Sequence, residues 1–292
     1  GGWTAFFLSK GYNVISYLHE PKEIKLFMKI VRTAWKSLKK LGLTKNASLK
    51  NLSVVYDLKK SLEGSHFVQE SAPEKLELKQ DLYYEMGEIL PKNIIISSST
   101  SGFMMTDIQK KCNSPERTII GHPFNPPYIL PLVEIVGGQK SSKLAVEWAY
   151  DFYKSSGKEP LKLKKEIPGF VATRLQEALW REALHMVDNG EASPEDIDIA
   201  LINGPAPRMV IQGQCMAFHV ACGEGGMATN LDQFGPALKW PWTRLKAPEL
   251  TSELRDKMVK GCNEMAGNTN FEDLVSSRDN AIVRVLNAIG NK

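Results

Sequence analysis

Three short stretches concentrate the residue types that could do chemistry: Ser97-Ser98-Ser99-Thr100-Ser101-Gly102, Gly121-His122-Pro123-Phe124-Asn125-Pro126-Pro127, and Leu132-Val133-Glu134. Each closes or continues an apolar run, so each places polar groups at the end of a strand, where open α/β sheets bind ligands. His122 ends the run Thr118-Ile119-Ile120-Gly121 beside a proline-rich turn. A histidine held there can point into a crevice, and its neutral imidazole can accept a proton near neutral pH. Glu134 follows on what reads as the partner strand of a hairpin. A carboxylate there is near enough to accept a hydrogen bond from the other ring nitrogen, which fixes the tautomer and stabilises the imidazolium. A lone histidine with a distant glutamate would ordinarily be structural; the motif around this pair reverses that reading.

The elements that must position these groups alternate. Helical patterns over residues 3–10, 20–41 and onward from Pro73 are interleaved with strands at residues 12–17, 52–56, 66–69 and 93–98, then 118–122 and 132–136. This order predicts a doubly wound, mainly parallel α/β sheet of the dinucleotide-binding kind. After Ile167-Pro168-Gly169-Phe170 the texture turns helical, at residues 175–187 and 194–201, and strands disappear. The division expected is residues 1–165 for a dinucleotide-binding domain and 166–292 for an all-helical substrate and dimerisation domain.

Composition narrows the class. With 42% hydrophobic and 24% charged residues, the chain of 292 residues has an ordinary globular balance and enough length for about two domains. No run approaches the ~20 apolar residues of a membrane helix. The net charge of +4 is spread among carboxylates, and the densest basic run, near Lys36, Lys39 and Lys40, reads as a solvated helix face rather than a nucleic-acid surface. The cysteines, Cys112, Cys215, Cys222 and Cys262, show no metal-ligand spacing and read as reduced thiols of a cytoplasmic protein, with no metal expected.

His122-Pro123-Phe124-Asn125-Pro126-Pro127, with Leu132-Val133-Glu134 and Pro168-Gly169-Phe170-Val171, resembles the 3-hydroxyacyl-CoA dehydrogenase superfamily. Gly223-Glu224-Gly225-Gly226-Met227, Phe234-Gly235-Pro236-Ala237-Leu238-Lys239, Pro241-Trp242-Thr243 and Ala247-Pro248-Glu249-Leu250-Thr251 resemble the branch of it that oxidises L-carnitine, and the likeness covers nearly the whole chain. The resemblance implies NAD as cofactor, His122 as base with Glu134 supporting it, and Ser101 on the reacting oxygen. It implies Glu74, Lys79, Ser99 and Asn125 on the cofactor side, with Gly2 just after the glycine fingerprint. The substrate's quaternary ammonium cannot donate hydrogen bonds and suits aromatic faces, with a carboxylate to offset its charge; Tyr128, Phe218, Trp240, Trp242 and Glu224 are the candidates, although core packing is the commoner role for any one aromatic. The C-terminal helices, with Phe271, Leu274, Val283, Val285, Leu286 and Ile289 on one apolar face, imply a homodimer.

Four departures accompany the likeness. The G-x-G-x-x-G loop is absent, so the first strand and its glycines are expected before residue 1. Leu18 stands where the family has Asp, with Glu20 nearby, and Thr173 stands where it has Asn. Ala206, Pro207 and Met209 replace Gly, Leu and Trp near the expected substrate wall. The reaction expected is oxidation of L-carnitine to 3-dehydrocarnitine. The alternatives are a dehydrogenase for 3-hydroxyacyl-CoA or L-gulonate, and a non-catalytic homologue of the crystallin kind.

Overall fold

Every residue from Trp3 to Ser9 is buried, so the first helix, α1 (Gly2–Ser9), is covered on more than one side. It is followed by β1 (Val14–Tyr17), a 3-10 turn at Pro21–Glu23, and α2 (Ile24–Leu41). The turn precedes the helix where the sequence pattern predicts one continuous helix from Glu20; Glu20 instead forms a reciprocal cap with Glu23. From α2, Phe27, Val31, Ala34, Trp35 and Leu38 recur at helical spacing and pack on Ala5 and Leu8.

The computed structural model describes residues 1–243 and 251–271, with 273, 274, 277 and 288. They fall into two units, Gly1–Arg174 and Leu175–Lys292. The first unit continues with β2 (Leu52–Val55), α3 (Leu58–Leu62), β3 (Phe67–Glu70), α4 (Leu76–Ile89), β4 (Ile95–Ser98), α5 (Met105–Ile108), β5 (Thr118–Pro123), β6 (Leu132–Gly137), α6 (Lys143–Ser155) and β7 (Glu159–Lys162). β1 and β2 pair in parallel, and the other five strands form a sheet in chain order, β3-β4-β5-β6-β7, parallel except at the β5–β6 hairpin.

All four residues of β4 are buried, as a strand covered on both faces must be. The two-residue period sends Ile95 and Ile119 to one face, with Trp3, Phe6, Phe7, Ala149 and Tyr153, and Ile96 and Ile120 to the other, with Tyr83, Met86, Met105 and Ile108. Helices therefore cover both faces. Arg117 is buried just before β5, where its guanidinium donates to the carbonyls of Gly87, Leu90 and Pro91 and so caps the end of α4.

Beyond β7, no strand occurs among the described residues. α7 (Ala172–Asp188) starts at the end of the first unit, and α8 (Pro194–Asn203), α9 (Ala206–Ala221), α10 (Gly226–Phe234) and α11 (Ser252–Ala266) belong to the second. Ser193 opens α8 with a capping box to Asp196. His219 Nδ1 accepts the Met227 N–H at 3.2 Å, tying α9 to α10, and Arg255 pairs with Asp232 at 3.0 Å, tying α11 to α10. The apolar residues Val283, Val285, Leu286 and Ile289, and the segment 244–250, lie outside the described residues.

Candidate active site

The β5–β6 hairpin sets His122 directly opposite Glu134, and both side chains are buried, His122 being 3% exposed. His122 Nδ1 and Glu134 Oε2 are 2.8 Å apart. The other carboxylate oxygen, Oε1, accepts the backbone N–H groups of Val171 and Ala172, each at 2.9 Å, at the start of α7. Burial alone would raise the pKa of Glu134; the bonds from His122, Ala172 and Val171 outweigh it and hold the carboxyl below the ordinary 4.5. Glu134 is thus an anion that accepts three donors. The proton of a neutral imidazole must then sit on Nδ1, which leaves Nε2 with a free lone pair. No described residue bonds to Nε2.

The chain reversal that aims those two N–H groups has a sequence cause. Gly169 and Phe170 adopt φ of 70° and 52°, and for a non-glycine residue this left-handed conformation costs roughly 1–2 kcal/mol. Phe170 offsets that cost by burying its ring, 1% exposed, in the main core cluster and against the imidazole, with ring centres 5.2 Å apart. Phe124 stands edge-on to the imidazole at 5.7 Å.

Next to His122, at Gly121, a polar chain runs from buried Ser97 and Tyr153 out to half-buried Gln69 and Ser99. Ser97 Oγ and Tyr153 Oη are 2.7 Å apart, and Tyr153 Oη also donates to Gln69. Gln69 Nε2 and Trp3 Nε1 donate to Ser99 Oγ at 2.8 and 3.1 Å, and Ser71 Oγ is 3.0 Å from it. The Ser99 hydroxyl, expected at the cofactor, meets three partners within the chain. Tyr153 and Ser97 both press on Gly121, where a Cβ would overlap their hydroxyl oxygens.

The loop after β4 is bound from α4's side. Glu74 Oε1 accepts Ser101 N at 3.1 Å, Gly102 N at 3.2 Å and the Thr100 hydroxyl. Burial would raise its pKa, but Thr100, Lys79 and Gly102 hold it below the usual carboxylate value. Glu74 remains 45% exposed, whereas Lys79 is 1% exposed. The Lys79 ammonium meets Glu70 Oε1 at 2.9 Å, Ala72 O at 3.1 Å and Glu74 Oε2 at 3.4 Å. Lys79, expected among the cofactor contacts, is thus buried among three acceptors; of the two carboxylates, only Glu74 is partly exposed.

Ser101 and Asn125 are exposed, and among the described residues neither side chain has a partner. Asn125 precedes Pro126 through a cis bond. Its turn is held from below by Lys158, which donates to Pro127 O and to Leu130 O at 2.9 Å and lies 4.0 Å from the Phe6 ring centre. Gly2 packs against this turn, where a Cβ would stand 2.7 Å from Pro127 Cγ. Tyr128 is half-buried against α1 and α2, in keeping with core packing. Thr173 lies half-buried on the first turn of α7 with no bond to a described residue.

In the second unit, Phe218, Glu224, Trp240 and Trp242 are all exposed, Trp242 by 66%, so core packing does not account for those three rings. Trp240 and Trp242 meet edge to face at 4.9 Å. Among the described residues no His, Cys, Asp and Glu cluster could hold a metal ion, the cysteines are free, and no helix is long and apolar enough to cross a membrane. Sequence reasoning missed Glu70, Gly121, Tyr153, Lys158 and Phe170. Of these, Gly121 and Phe170 sat in quoted stretches, neither of them singled out there.

Residues 1–167 match the family described as 3-hydroxyacyl-CoA dehydrogenase, NAD binding domain, and residues 169–266 its C-terminal domain. Among curated relatives, an L-carnitine dehydrogenase of Streptomyces coelicolor is 49% identical over 290 residues, covering 99% of this chain and 91% of that one. Those of Nocardiopsis dassonvillei and Pseudomonas putida are 48% and 43% identical, covering 99% of this chain and 88% and 90% of theirs. Of solved structures, a 3-hydroxyacyl-CoA dehydrogenase from Archaeoglobus fulgidus superposes with a TM-score of 0.69 at 21% identity over 99% of this chain and 94% of that one. An NAD-dependent FHMPC 5-dehydrogenase gives 0.75 at 23% over 100% and 95%. These two likenesses are of fold.

Proposed function

Because the chain belongs to the 3-hydroxyacyl-CoA dehydrogenase family, we propose that it oxidises the secondary alcohol of L-carnitine to 3-dehydrocarnitine with NAD. The observation that carries the chemistry is the buried His122–Glu134 pair with Nε2 left free. NAD, when bound, supplies the hydride acceptor. The residues present fit its nicotinamide half: Ser101, whose N–H meets the half-exposed Glu74 carboxylate, and Asn125 offer unpartnered polar side chains beyond β4 and β5. Glu74, Ser101 and Asn125 would hold it, with Gly2 on the phosphate side.

His122 takes the hydroxyl proton on Nε2, and the imidazolium so formed is stabilised by the Glu134 anion 2.8 Å from Nδ1. Ser101 donates to the reacting oxygen, with Thr173 in the place of the family's asparagine. The cofactor is assigned to residues 1–165 and substrate recognition to 166–292. The working state is taken to be a cytoplasmic homodimer assembled through the helical part.

The test is NADH formation by the gene product containing this chain, with L-carnitine, 3-hydroxybutyryl-CoA and L-gulonate compared. Turnover of L-carnitine with the highest kcat/KM supports the reading; preference for either of the others transfers the assignment to it. His122→Ala is expected to lower kcat by roughly 10²–10⁴-fold without unfolding the chain, and an equally active variant removes His122 from the mechanism.

A further inference from the structure

Glu70 ends β3 and is buried, yet it touches neither the base pair nor any exposed group of the site. Its Oε1 accepts Lys79 Nζ at 2.9 Å and Ala72 N at 2.5 Å, and its Oε2 accepts Ser98 Oγ at 2.6 Å. A buried ion pair is a poor source of stability, because desolvating two charges costs about as much as their attraction returns. This pair also has a geometric consequence. Lys79 reaches on to Glu74, and Glu74 gathers the Thr100 hydroxyl and the N–H groups of Ser101 and Gly102. Ser98 and Ser99 complete the grip, since Ser98 Oγ accepts Thr100 N at 3.2 Å and Ser99 N donates to Glu70 O at 2.8 Å.

We propose that Glu70 is a positioning residue for the oxidation: it fixes the Lys79 ammonium, which fixes Glu74, which holds the loop presenting Ser101. The charges favour this order. Two carboxylates share one ammonium, and the buried one makes the shorter ion pair, so Lys79 is anchored at Glu70 and directs Glu74. Without Glu70, Lys79 would be drawn fully to Glu74 and the loop would lose its fixed height above the sheet. The inference rests on the reading of Ser101 as the group on the reacting oxygen, and one of its readouts does not depend on that reading.

The test compares Glu70→Gln, Lys79→Met and the double variant with the unaltered protein. It reads amide hydrogen exchange residue by residue, melting temperature, and the separate kcat and KM for NAD. Glu70→Gln and Lys79→Met are expected to speed exchange at Ser101 and Gly102 by roughly tenfold, while Ile96 and Ile120 in the sheet stay protected. They are expected to lower kcat by roughly 10–100-fold through misplacement of the loop. The double variant separates positioning from mere packing. It is expected to recover the melting temperature and not the exchange or kcat; recovery of all three overturns the proposal. Should the single variants fail to fold, Glu74→Gln leaves the Glu70–Lys79 pair intact, and wild-type exchange at Ser101 and Gly102 in that variant also overturns it. Freed amides with an unchanged kcat on whichever alcohol the enzyme oxidises overturn it too. Lack of L-carnitine turnover in the unaltered protein overturns only the substrate assignment.

Discussion

Replacing Glu134 by Gln tests the whole hairpin argument with one atom changed. The amide keeps an oxygen for the Val171 and Ala172 N–H groups, so the start of α7 should remain in place. Its nitrogen then faces His122 Nδ1, and an N–H in that position demands an acceptor there. The imidazole proton is pushed to Nε2, and the lone pair that takes the substrate proton is lost. The charge is lost as well. With imidazolium and carboxylate centres about 4 Å apart, attraction at an effective dielectric of about 20 is about 4 kcal/mol. If this is expressed in the transition state, kcat falls by about a thousandfold. The assay is initial-rate NADH formation, with KM for NAD measured alongside and expected to stay near its original value. A kcat within tenfold of the unaltered enzyme, in a variant whose melting shows it folded, would refute the tautomer argument. The same substitution carries a pH signature. The folded pKa of Glu134 lies below 4.5, so its stabilising contribution is complete above the unfolded value and is lost as pH falls through the folded one. Melting measured downward from pH 4.5 should therefore fall less steeply in Glu134→Gln than in the unaltered protein.

Three further outcomes follow from the packing. Gly121→Ala places a methyl group where Tyr153 Oη and Ser97 Oγ already sit, so it should cost roughly 2–4 kcal/mol in denaturant titration through strain and a broken buried bond; a loss within experimental error contradicts the contact. Arg117→Met strands the carbonyls of Gly87, Leu90 and Pro91 and should cost a similar roughly 2–4 kcal/mol, with amide exchange rising first at the end of α4. Lys158 is held down to a pKa of about 8 from 10.5, chiefly by burial and then by Lys10. Between those values the unfolded chain keeps a proton that the folded one releases, so stability due to this group rises with pH across the window. The melting difference between the unaltered protein and Lys158→Met should shift in favour of the former from pH 8 to 10, and a shift in the opposite sense contradicts the assignment.

How much of this was legible in the sequence depends on whether a residue's partner is near in sequence or across the sheet. The His122–Glu134 pairing could be read because a hairpin is local: two apolar runs follow one another across the loop 124–131 and pair. The parallel sheet was legible from alternation. β7 was not, because Glu159-Pro160-Leu161-Lys162 has no alternating pattern and becomes a strand only by adding to the edge beside β6. α6 carried its own signals, an Ser142 cap and Ala145, Ala149 and Tyr153 at helical spacing, and was passed over. The engagement of Lys79 was hidden for a different reason. A lysine in the first turn of an amphipathic helix reads as solvated, and only the side-by-side placement of β3 and β4 brings Glu70, Ser98 and Lys79 together. Phe170 was visible as part of a motif, but its left-handed backbone was not, because nothing in the letter Phe announces a positive φ.

The crowding of Gly121, Ser97 and Tyr153 also bears on how this sequence can change. Each occupies space that the others would need in order to vary, so a side chain larger than glycine at 121 becomes tolerable only after Tyr153 has been shortened and Ser97 has given way, and a shortened Tyr153 leaves a void until 121 grows. Stepwise mutation must therefore cross a valley between two acceptable combinations. A library that randomises the three positions one at a time should return almost only the starting residues, and one that randomises 97, 121 and 153 together should return coordinated solutions. Since Gly121 immediately precedes His122, the base inherits that constraint: its backbone stays where it is because its neighbours cannot be exchanged singly.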